Sequence, residues 1–107
     1  MRNDYVLNAI EQMRICTSRA ERNRVAAIAR RAELKEEIKN RRERSDNSKD
    51  VIYFPLERAV DFAIKDDLRY KSFVSDNQWY IQQSIMWANI AQTEMRYWEF
   101  VLLTEGQ

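Results

Sequence analysis

The sequence predicts an all-α fold, and three observations carry that prediction. Only one Gly and one Pro occur in 107 residues, too few for the tight turns that strands need. Apolar side chains recur at intervals of three and four rather than two. Charged residues make up 33% of the chain, and many stand three or four positions from an opposite charge, as on a solvated helix face. The expected architecture is a long N-terminal helix folded against two C-terminal helices, an extended helical hairpin or three-helix arrangement, oligomeric. It forms one domain, with a helix over 4–44, a loop over 45–53, and helices over 55–73 and 76–104.

Asn3 or Asp4 can cap the first helix through a side-chain oxygen. No Pro or Gly then appears as far as Arg44. Val6, Ile10, Met13, Thr17 and Ala20 follow the 4-3-4-3 spacing of a coiled coil, and the stripe then shifts to Val25, Ile28 and Ala32, with Leu34 and Ile38 alongside. The segment VAAIARRA carries four alanines, which would admit a neighbouring helix closely. Cys16, the only cysteine, lies at helical spacing with Met13 and Ala20 and reads as a small core residue. Beyond it, Glu37 four before Arg41 and Glu36 three before Lys39 support the helix locally.

SDNSKD, residues 45–50, is the clearest break in the chain. Pro55 suits a first helical turn, and Leu56, Ala59, Val60, Ala63 and Tyr70 make an inner face with Phe62 and Phe73 nearby. Val51 to Phe54 form an apolar lead-in. Ser75-Asp76-Asn77-Gln78 reads as a capping box, which starts the third helix after a kink or a turn.

The stretch from Asn77 to Leu103 holds all three tryptophans and only three charges, Glu94, Arg96 and Glu99. Its apolar residues fall on three stripes. One is Ile81, Ile85, Ala88, Met95 and Leu102; a second is Tyr80, Trp87, Ala91, Trp98 and Val101; a third is Trp79, Met86, Ile90 and Tyr97. Three stripes are more than a two-helix hairpin can bury, so burial by other subunits is expected. Trp79, Trp87, Tyr97, Trp98 and Phe100 are the expected protein-contact anchors, since large aromatics dominate interface energies.

Chemistry is scarce. There is no histidine, so the usual general base and a Cys–His pair are missing. The single Gly, at position 106, leaves no phosphate-cradling loop. Glu57 and Asp61 share a helix face, with Asp66 and Asp67 following, and could hold Mg²⁺ or Ca²⁺. Such carboxylates more often face solvent or arginines, and no enzyme, metal or cofactor is expected. The net charge of +1 hides an asymmetry: residues 1–50 carry 13 basic against 9 acidic side chains, residues 51–107 carry 5 against 8. Arg24, Arg31, Lys35 and Arg42 fall near one line of the first helix. They could meet phosphates or an acidic protein surface, and the acidic second helix is an available partner. Interleaved glutamates favour the protein surface over nucleic acid. The opening MRNDYVLNAIEQ has no apolar run of signal-peptide length, and the amides and charges of 77–103 argue against a membrane span. Cytoplasmic synthesis is the expectation.

The segments DVIYFPLERAVDFAIKDDLRYKSFV and DNQWYIQQSIMWANIAQTEMRYWEF resemble those of small helical proteins encoded by tailed phages of actinobacteria. The similarity covers most of residues 5–100. No catalytic motif defines that group, so no functional residues carry over; what the resemblance implies is a virion or assembly role, at the head or the head–tail junction. Small secreted helical hairpins of the Trp-x-Gly type share length and class, but their turn motif is missing: Trp79 and Trp87 are followed by Tyr80-Ile81 and Ala88-Asn89.

Overall fold

The computed structural model describes residues 3–45 and 54–105. Three helices follow one another, α1 Asn3–Arg44, α2 Leu56–Asp66 and α3 Leu68–Glu105, and no strand occurs among the described residues. The fold is all-α, with the long N-terminal helix packed against the two C-terminal ones. Contacts gather into two compact units where the sequence suggested one: Met1–Glu21 with Asn77–Gln107, and Arg22–Asp76. Both α1 and α3 contribute a segment to each.

In the first unit α1 and α3 run antiparallel. The Thr17 hydroxyl donates to the Met13 carbonyl (2.8 Å), so its oxygen is left to accept from the Ser84 hydroxyl, 2.9 Å away. One turn on, the Asn77 side-chain amide donates to the Ala20 carbonyl at 2.7 Å. Ala9, Cys16 and Ala20 of α1 and Ala91 of α3 are buried, flanked by half-buried Val6, Met13, Tyr80, Trp87, Trp98 and Val101. Small side chains on α1 thus receive large ones from α3.

The stripe expected on α1 is displaced. The seam takes Val6, Ala9, Met13, Cys16 and Ala20, whereas Ile10 and Thr17 are exposed. Further along, Val25, Ile28 and Ala32 are also exposed, while Ala27 and Leu34 are buried and Ile38 is half-buried. Two settings of the same three-and-four ladder compete on this helix. The setting rich in alanine wins because it lets the backbones close around the rings of α3.

In the second unit, α2 lays Leu56, Ala59, Val60 and Ala63 inward, and Val60 has 0% of its surface exposed. Phe62 faces outward, 6.5 Å from the Phe54 ring. Pro55 stands at the N-cap of α2, its carbonyl accepting from the Ala59 amide at 3.0 Å. Ser45 ends α1 in a turn. The rest of the expected loop, with Val51, Ile52 and Tyr53, lies outside the described residues.

The break between the second and third helices corrects the sequence reading. It falls at Asp67, a single extended residue (φ −80°, ψ 113°), and α3 runs unbroken through Ser75 to Gln78. The Asp67 carboxylate accepts the Tyr70 amide at 2.8 Å, capping α3 from the position before its first residue. The capping box at Ser75 loses because half-buried Phe73, Val74 and Asn77 hold that turn against the fold, and no Pro or Gly breaks it.

Two substitutions test this packing. Val60→Ala should lower the unfolding free energy by about 2 kcal/mol in urea titrations, through lost burial and the cavity left behind. Ala20→Leu should cost about 1–3 kcal/mol by overpacking, although leucine is a good helix former. A neutral result for Ala20→Leu would mean that the seam is set elsewhere.

Candidate interaction surface

A helix with one long neighbour buries one stripe, and α3 has three. In the first unit the stripe turned toward α1 is the Tyr80, Trp87, Ala91, Trp98, Val101 line. The other two stay in solvent except for half-buried Ala88: Trp79 is 54% exposed, Ile85 56%, and Ile81, Met86, Ile90, Met95, Tyr97 and Leu102 are all exposed. Toward the end of the helix Phe100 is 64% and Leu103 71% exposed. An open groove of about 560 Å³ runs along this outer side, lined by Gln82, Ile85, Met86, Asn89, Ile90, Thr93 and Glu94. From Asn77 to Thr93 there is no charged residue. An ordinary solvated helix face carries lysines and glutamates, as α1 does.

The five aromatic anchors expected from the sequence therefore divide. Trp79, Tyr97 and Phe100 lie exposed, whereas Trp87 and Trp98 are half-buried on the stripe that α1 covers. Neighbouring rings are set edge to face, Trp79 on Tyr80 at 5.0 Å and Tyr97 on Trp98 at 6.0 Å, and the Arg19 guanidinium lies 5.7 Å from the Tyr80 ring centre. Ile85, Met86 and Ile90 stood on the stripes expected to need burial by other subunits but were not named among the anchors, and the polar groove residues Gln82, Asn89 and Thr93 had no expected role. The charge-free run over 77–93 was the signal that could have found them.

In the second unit the basic residues of α1 meet the acidic ones of α2. Arg31 Nη2 lies 3.1 Å from Glu57 Oε2 and 2.9 Å from Asp61 Oδ1, and Lys35 Nζ lies 2.6 Å from Glu57 Oε1. Arg42 donates to the Phe54 carbonyl at 2.7 Å; Arg24 is exposed. Glu57 and Asp61, the pair weighed for a divalent cation, thus face two cationic side chains. Lys35 first, and then Arg31, hold the Glu57 carboxyl below its usual range. Asp61 and Glu57 in turn raise Arg31. Among the described residues no group of three or more His, Cys, Asp or Glu side chains is placed to hold a metal ion, and no helix is long and apolar enough to cross a membrane.

The most constrained polar contact is one the sequence reading did not single out. Arg30 grips Asp67 with both arms of its fork, Nε to Oδ2 at 3.0 Å and Nη2 to Oδ1 at 2.7 Å, while Asp67 also caps α3. Both side chains are largely shielded, at 15% and 13% exposure. The Arg30 hydrogen bonds, then the Tyr70 amide, pull the Asp67 carboxyl down from 3.8 to about 2. The same carboxylate, with Glu33, raises Arg30.

No protein-family model matches this sequence, and comparison with curated proteins and with solved structures returns no match.

The Asp67 contact makes a pH prediction. A carboxyl lower in the folded state than in the unfolded chain stabilises the fold above its unfolded value and stops doing so as pH falls through the folded one. The melting temperature should therefore drop between about pH 4 and about pH 2, the span from 3.8 to about 2. Asp67→Asn should start lower at pH 6 and lose less across that span. Equal acid sensitivity in the two proteins would dismiss the contact as a source of stability.

Proposed function

We propose that this chain is a non-enzymatic helical interaction protein that works by docking the outer side of α3 against other protein, either by self-association or within a larger assembly. One observation supports this above others: the chain covers one apolar stripe of α3 and leaves two in water. Exposed apolar surface of this extent, in an uncharged run of helix, is characteristic of protein contact surfaces. The resemblance to small phage proteins adds a setting, the virion at its head or head–tail junction, reached from cytoplasmic synthesis.

The second reading is a nucleic-acid-binding accessory protein using Arg24, Arg31, Lys35 and Arg42. Two of those four cations already face Glu57, which reduces the positive field they could offer to phosphates. The docking reading is therefore preferred.

The test is a variant with Trp79→Glu, Ile85→Glu and Phe100→Glu. It should keep the helical circular dichroism and melting temperature of the native chain, because none of the three side chains is buried within it. Native protein should sediment with increasing mass across micromolar concentrations, and the variant should not. Loss of the isolated chain's fold in the variant would show that these side chains serve the core, and would end the docking reading.

A further inference from the structure

We propose that the occupant of the outer side of α3 is a second copy of this chain, docked antiparallel about a two-fold axis level with Ala88. This rests on the docking reading above and adds the partner and the register.

One line of side chains along α3 runs Trp79, Gln83, Met86, Ile90, Thr93 and Tyr97. Their spacing is 4-3-4-3-4, the ladder by which one helix presents a seam to another. All six lie on α3 within the first unit, and all but half-buried Gln83 are exposed. That ladder reads the same from either end, and its midpoint is position 88. A reversed copy centred there sets Trp79 opposite Tyr97 of the second chain, Gln83 opposite Thr93 and Met86 opposite Ile90.

The chemistry is palindromic as well as the spacing. From either end the order is ring, hydrogen-bonding group, aliphatic or thioether chain, and then the same in reverse. A two-fold contact must be self-complementary, because each pair i–j is accompanied by j–i. An unrelated partner imposes no such order on this surface. The symmetry of the line is what selects a copy over any other protein.

No residue of the line is charged, so neither copy brings a charge into the seam. The extent is adequate too. From Trp79 to Tyr97 the line is ~27 Å long at 1.5 Å per residue. Packing it on its mate removes on the order of 500 Å² per copy, about 1,000 Å² in total, where specific interfaces begin.

The experiment uses the full chain with Cys16→Ala, carrying either Met86→Cys or Ile90→Cys, mixed in equal amounts and oxidised. The mixed 86–90 disulfide should exceed both homodimers several-fold, and Ile90→Lys should convert the native chain from dimer to monomer in sedimentation while keeping its helicity. If the native chain associates but the mixed disulfide is no more abundant than the others, or Ile90→Lys leaves the mass unchanged, this register is overturned and the docking surface stands. A native chain that stays monomeric at tens of micromolar overturns contact between copies. The docking reading is then judged by the helicity of the Trp79, Ile85 and Phe100 variant, so the two failures are told apart.

Discussion

A single geometric constraint governs this molecule: two helices laid side by side can each cover only one strip of the other. Where α1 passes α3 in the first unit, that strip runs through Tyr80, Trp87, Ala91, Trp98 and Val101. The exposed apolar side chains of α3 in this unit are surplus to that contact. Burying a large apolar side chain contributes about 1.5–3 kcal/mol, so covering even a few of the exposed ones would be a sizeable gain, and the docking proposal rests on that. No charged side chain interrupts that exposed surface from Asn77 to Thr93.

The second unit is organised differently, by charge as much as by burial. Its core is small: Ala27, Leu34 and Val60. Around it, Arg30, Arg31 and Lys35 on α1 meet Asp67, Glu57 and Asp61. The exposed pairs with Glu57 and Asp61 contribute little stability each, since water and salt screen them. The Arg30–Asp67 fork is better shielded, and it has a second task. It fixes the one residue at which the chain leaves α2 and begins α3.

Much of this was legible in the residues. Helix content followed from the dearth of Gly and Pro, and the three stripes of α3 from simple spacing. The register of α1 was not, because Ile10, Val25 and Ile28 look more like core than Ala9 and Ala27 do. Hydrophobicity alone cannot see that the rings of α3 need hollows rather than bulk. The helix break was missed for a related reason. Ser75 to Gln78 has the better local cap, but local hydrogen bonding lost to the packing of Phe73, Val74 and Asn77 and to a distant arginine that only folding brings to Asp67. The aromatic anchors were named by residue type, which does not tell the side of a helix turned inward from the side turned out.

The alanine seam has a consequence for how this chain can change over time. At Ala9, Ala20 and Ala27 almost any replacement adds bulk where none fits, so these plain positions should be the least free to drift. The showier residues outside would vary readily if water were their only neighbour. A catalogue of tolerated substitutions along α3 would therefore act as a footprint, recording whatever presses against it in the cell.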